Sequence, residues 1–108
     1  MQRNLILILL LALSSLLYGQ NAKLEGRVFD PVNNEPVPFA NVIVSGTNTG
    51  AITDIDGKFK FTGLEPGYIR LEVSSLGYEK IITKQVLVTN AKTAYLDIEL
   101  EQIGRAHV

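Results

Sequence analysis

The chain is 108 residues long, 46% hydrophobic and 19% charged, with a formal net charge of −1, one His and no Cys. That length allows one domain. The near-neutral charge excludes a typical nucleic-acid binder, and the lack of Cys excludes a disulfide framework and thiolate zinc sites.

The apolar residues are concentrated at the head. Leu5–Leu13 is an unbroken run of nine, preceded by Arg3 and followed by Ser14, Ser15, Leu16, Leu17, Tyr18 and Gly19. A cationic start, a short apolar stretch and a small residue predict a secretory signal peptide over 1–19. A membrane-spanning helix needs about 20 apolar residues to cross about 30 Å. An uncleaved anchor is the alternative. Cleavage is expected after Gly19, with Gln20 as the mature start, so the remainder is exported.

Residues 20–102 form the predicted domain. Here 34 of 83 residues are apolar, and eight Lys and Arg face eleven Asp and Glu, a net charge of −3. The period is two almost throughout, which predicts half-buried strands. Leu24, Gly26 and Val28 alternate with Glu25 and Arg27. Ala40, Val42 and Val44 share one face of the next segment. Phe59 and Phe61 alternate with Lys58 and Lys60. Ile69, Leu71 and Val73 form one further predicted strand. Ile81–Thr83 and Val86–Val88 are one bent strand or two. Leu96, Ile98 and Leu100 complete the series.

Turn chemistry separates these segments. Asp56-Gly57 predicts a tight hairpin. Pro66-Gly67 predicts a second turn. Asn33-Asn34 and Thr89-Asn90 read as polar loops, and Gly46–Gly50 as a short loop bounded by glycines. About seven short strands with no helix predict an all-β, seven-stranded Greek-key β-sandwich behind a signal-peptide helix. The charged Glu25, Arg27, Asp97 and Glu99 are expected at its outer edges.

The tail, Ile103-Gly104-Arg105-Ala106-His107-Val108, breaks this pattern. It is what the common short-read sequencing adapter yields when translated in one frame. Residues 103–108 are therefore expected to be non-native, with the natural protein continuing differently after Gln102. His107, the single His, is given no chemical role.

The spaced motifs Gly26-x-Val28, Pro36-Val37-Pro38-Phe39-Ala40-Asn41-Val42-x-Val44-x-Gly46-Thr47, Gly50-x-x-Thr53-Asp54-x-x-Gly57-x-Phe59 and Gly67-x-x-x-Leu71-x-Val73-Ser74-x-x-Gly77-Tyr78 follow one another in order. Over Lys23–Gln102 they resemble the carboxypeptidase regulatory-like domain. The resemblance implies a transthyretin/prealbumin-like, Ig-like sandwich, and makes Gly26, Val28, Pro38, Ala40, Val42, Val44, Gly46, Thr53, Asp54, Gly57, Phe59, Gly67, Leu71, Val73, Gly77 and Tyr78 scaffold positions. Physical reasoning agrees. Ala40, Val42 and Val44 are expected in the inter-sheet core. Thr53-Asp54 side-chain oxygens are expected to hold the backbone before the turn. Gly77 is expected where a side chain would clash. Tyr78 is expected to bury its ring and find a hydroxyl partner.

No catalytic constellation is expected. A metallopeptidase needs a His/Glu set such as H-E-x-x-H, and the ureide-pathway hydrolase of the same fold relies on several His residues. Ser74-Ser75 has no base or nucleophile partner in view. Asp54-x-Asp56-Gly57 lacks the remaining ligands of a calcium loop, and Gly46–Gly50 lacks the Lys-Ser/Thr of a phosphate loop. No cofactor or metal is implied. Phe39, Ile43, Ile52 and Ile55 are expected near the non-core face, with coverage by neighbouring loops preferred over an exposed patch.

In the resembled family, a signal peptide followed directly by such a sandwich commonly precedes the plug and barrel of a TonB-dependent outer-membrane receptor. The resemblance thus implies a non-catalytic periplasmic docking or regulatory module of a truncated nutrient importer. Its partners would be the downstream plug and barrel and a periplasmic protein, with no nucleic acid. The alternatives are a carbohydrate-binding-like or adhesive accessory domain of a secreted or cell-surface protein, or the head of another outer-membrane barrel. For a glycan, the candidate stacking residues are Tyr68, Tyr78 and Tyr95.

Overall fold

A computed structural model describes residues 2–16 and 21–104. The apolar head forms helix α1, Gln2–Leu16. Fifteen residues at 1.5 Å each span about 22 Å, and no described helix is long and apolar enough to cross a membrane. The expected cleavage point at Gly19 and Gln20, and His107 in the tail, lie outside the described residues.

The other described residues contain strands and no further helix. Strand β1 (Ala22–Asp30) is the spine of the first sheet, and it buries every second residue, from Ala22 and Leu24 to Val28 and Asp30. On one side it pairs in parallel with the last strand, β10 (Ala94–Glu99), from Leu24↔Ala94 to Phe29↔Glu99. On the other side its first half pairs antiparallel with β5 (Lys58–Leu64), and its end pairs with β2 (Glu35–Pro36). The β1–β2 turn is closed by Asn34 at φ 55°, a conformation that Asn tolerates better than most residues.

The second sheet runs β4-β3-β7-β8, comprising Gly50–Ile52, Asn41–Val44, Leu71–Ser74 and Ile81–Ile82. A two-stranded ribbon pairs β6 (Gly67–Ile69) with β9 (Val86–Val88). Leu24 and Val28, Val42 and Val44, Phe59 and Phe61, Leu71 and Val73, and Ile98 meet in one core. Phe59 and Phe61 meet edge to face at 6.0 Å, a preferred aromatic geometry.

Among the described residues ten short strands replace the expected seven, and the extra breaks have a cause. Ile69–Val73 divides at Arg70, because β6 pairs with β9 whereas β7 pairs with β3. Ser45 N donates to Arg70 O at 2.8 Å, and Leu71 N donates to Thr83 Oγ1 at 3.0 Å. The chain therefore changes partners without changing which side faces inward. Ile81–Val88 divides in the same way into β8 and β9. Asp56-Gly57 closes no hairpin, since β4 before it and β5 after it belong to different sheets. Glu25 and Arg27 are not edge residues. They lie on the outer face of the central strand β1.

Candidate functional site

The P-F-A-N-V and T-D motifs meet at one clamp. Thr53 is buried, and its Oγ1 accepts from Ala40 N at 2.8 Å and donates to Val37 O at 2.8 Å. Thr53 N donates to Ala40 O, and Phe39 N donates to Thr53 O, both at 3.0 Å. One hydroxyl thus satisfies a buried amide and a buried carbonyl on either side of Pro38-Phe39. Asp54 works on the next turn: its Oδ1 accepts from Asp56 N and Lys58 N, each at 2.9 Å. Gly57, at φ 75°, then brings its carbonyl to Val28 N at 2.7 Å. These residues organise backbone.

Thr53→Val keeps the shape but removes the hydroxyl. Two buried groups lose their partner, and urea unfolding should show a loss of about 2–4 kcal/mol. A change under about 0.5 kcal/mol, the scale of an indifferent surface substitution, would contradict the clamp.

Ala40, Val42, Val44, Leu71 and Val73 lie in the core, as do Val28 and Phe59. Gly46 and Gly67 adopt positive φ at the starts of a loop and of β6. Gly77 differs from the expectation. A Cβ there would meet nothing within 4 Å, so what favours glycine is φ 86°. Tyr78 is half-buried, and its hydroxyl donates to Asp30 Oδ2 at 3.3 Å. Its polar tip is thus tied to β1.

The two sheets present different outer faces. On the first, the rows Tyr95–Glu25–Lys60 and Asp97–Arg27–Lys58 cross three strands. Lys60 Nζ lies 3.7 Å from Glu25 Oε1, and the Arg27 guanidinium sits 4.5 Å from the Phe29 ring centre. Exposed pairs of this kind add little stability. The Tyr95 phenol is held above its ordinary pKa by partial desolvation and by the Asp97 carboxylate.

The second sheet turns Asn41, Ile43, Ile52 and Ile82 outward, with Glu72 ion-paired to Lys80 at 3.8 Å. Phe39, Ile52 and Ile55 are 69%, 65% and 69% exposed. Neighbouring loops do not cover them, contrary to the expectation. Phe39 adopts φ 59° at the bend before β3, a local change that the period-two pattern does not register. Only Ile43 is half-buried.

Among the described residues, no group of three or more His, Cys, Asp or Glu is gathered to hold a metal. The first-sheet face borders a hollow of about 560 Å³ beside β4, lined among others by Glu25, Ile52, Asp54, Lys60 and Tyr95.

The family model of the CarboxypepD_reg-like domain matches residues 24–105, which includes the clamp, the turn and both faces. The chain belongs to this family. The chain is similar to a TonB-dependent receptor of Formosa agariphila, 35% identical over 101 residues, covering 91% of this chain and 9% of the receptor. The chain is also similar to the TonB-dependent receptor SusC of Bacteroides thetaiotaomicron, 42% identical over 62 residues, covering 57% of this chain and 6% of that protein. The chain spans less than a tenth of either receptor's length. Among solved structures, the TIE protein of Bacillus anthracis superposes with a TM-score of 0.64 at 20% identity, over 78% of this chain and 17% of that one. That likeness concerns the fold alone.

Proposed function

We propose that this CarboxypepD_reg-like domain is the non-catalytic, periplasm-facing extension of a TonB-dependent outer-membrane receptor that imports a nutrient. The observation carrying this reading is the similarity to one such receptor over 91% of the chain, a span that takes in part of the apolar head as well as the sandwich. The architecture supports it. Thr53 and Asp54, the most densely hydrogen-bonded polar side chains of the motifs, are committed to backbone. What remains for function is surface: a charged face on one sheet and a partly apolar face on the other. A sandwich of this kind suits docking or regulation beside a plug and barrel. Residues 1–19 act as the export signal, 20–102 as the domain, and 103–108 as a non-native tail.

In the full-length receptor, deleting the sandwich while keeping the leader should impair energised uptake and leave ligand binding by the barrel intact. Uptake and binding assays on whole cells read the two separately. Unchanged uptake at equal receptor abundance would contradict a docking or regulatory role.

The carbohydrate-binding alternative keeps two of its three rings. Tyr68 and Tyr95 are 69% and 63% exposed, whereas Tyr78 is tied to Asp30. Saturable glycan binding lost in Tyr68→Ala or Tyr95→Ala would favour that alternative.

A further inference from the structure

The outer edge of β4 is open and carries no charged residue of its own. Thr49, Ala51 and Thr53 direct their backbone groups towards β3: Val44 N donates to Thr49 O, and Thr53 N donates to Ala40 O. The alternation of an antiparallel ladder then turns the N–H and C=O of Gly50 and Ile52 away from β3. Among the described residues no strand pairs with that side.

An exposed edge normally carries charge or proline against unwanted pairing. Lys80 and Lys84 flank β8, Glu35 and Pro36 form β2, and Asp97 and Glu99 lie on β10. By contrast, no charged residue occurs from Pro36 to Thr53. The hollow of about 560 Å³ lies directly beside this unguarded edge, with Ala51 and Ile52 lining it from β4, and Gly26 and Phe59 from the opposite sheet.

We propose that β4 receives an extended, uncharged peptide strand, which enlarges the second sheet to peptide-β4-β3-β7-β8. The strand would exchange backbone hydrogen bonds with Gly50 and Ile52 and place alternate small apolar side chains into the hollow. Charge specifies the occupant. Two carboxylates, Glu25 and Asp54, and two ammonium groups, Lys58 and Lys60, line the hollow. Glu25 is paired with Lys60, and Asp54 Oδ1 is held by two amides. No net charge is left to recognise a charged peptide. The opposite sheet bounds the hollow, which favours an extended segment over the β4 edge of a second folded copy. Strand addition is a known mode of peptide recognition in which the main chain supplies affinity. The inference does not depend on the receptor reading, since it rests on the edge and the hollow alone.

The test is amide NMR on the isotope-labelled exported chain, titrated with a capped Thr-Val-Thr-Val-Thr peptide. Saturable shifts centred on Gly50, Ile52 and Tyr95 are expected. The peptide is also made with N-methyl groups in each of the two alternating phases. One phase should lose binding and the other keep it, because only every second N–H faces β4. Ile52→Pro removes one outward donor at an edge position that tolerates proline. It should fold and bind at least about tenfold more weakly, the scale of one or two net hydrogen bonds. Ile52→Lys, which leaves the backbone donors in place, gives a second variant should the proline fail to fold, and its guarding charge should also weaken binding. No shifts at millimolar peptide, shifts confined elsewhere, equal binding by both N-methylated forms, or self-association through β4 in sedimentation would each overturn the proposal.

Discussion

Val42→Asp should abolish the fold. Val42 is fully buried between Ala51 on β4 and Val73 on β7. An aspartate there would place a carboxylate in an apolar core with no cation beside it, or take up a proton at a similar cost. Either way the loss is several kcal/mol. A sandwich of this size has a total stability of roughly 4–12 kcal/mol, so the variant should show no cooperative melt and a collapsed amide spectrum. Asn41→Asp is the matched control. It lies one residue earlier on the same strand, is exposed and pairs with Ser74. It should melt within about 0.5 kcal/mol of the parent, like other surface changes. A cooperative Val42→Asp melt near the parent's would remove the inward assignment of β3.

Gly26→Ala should be nearly as damaging, although it adds one methyl group. Gly26 sits on β1 between Leu96 of β10 and Phe59 of β5. A Cβ there would fall inside contact distance of the Leu96 carbonyl oxygen and the Phe59 ring. The ring can rotate away, but the carbonyl moves only if the parallel β1–β10 ladder shifts. Overpacking a core typically costs about 1–3 kcal/mol, and displaced backbone puts this site at or above the upper figure. Gly77→Ala separates clash from conformation. Its Cβ would enter open space, leaving only the positive-φ penalty of about 1–2 kcal/mol. Urea unfolding of both variants should therefore rank Gly26→Ala as the more destabilising. The reverse order would contradict the close strand approach.

Much of the fold is legible in the period of two. It assigns Leu24, Val28, Val42, Phe59, Leu71 and Ile98 to the interior, where they lie. The period does not report which strand is the neighbour. Ile69 and Leu71 keep the same parity while passing from one sheet to another, so the break at Arg70 leaves no trace in the pattern. Glu25 and Arg27 look the same on a central strand as on an edge, because both locations leave alternate side chains in water. The Asp56-Gly57 turn chemistry is local, and it cannot say whether the flanking strands pair. The buried clamp was only half visible. Thr53 beside Asp54 signals side-chain–backbone bonding, but the target, Val37–Ala40, lies 13 to 16 residues away. The exposure of Phe39 depends on one left-handed residue that no periodicity announces. The open edge of β4 needs the whole sheet order before it can be recognised.

The central claim is that this CarboxypepD_reg-like domain heads a much longer receptor chain. The most direct measurement is long-read sequencing of the intact gene beyond the codon for Gln102. The account predicts that the natural frame departs from the codons for residues 103–108. It should then run through a TonB-box segment and a plug into many alternating strands of about 10 residues, the signature of an outer-membrane barrel. A genuine stop codon directly after Val108, or a peptidase or adhesin domain in place of the barrel, would contradict it.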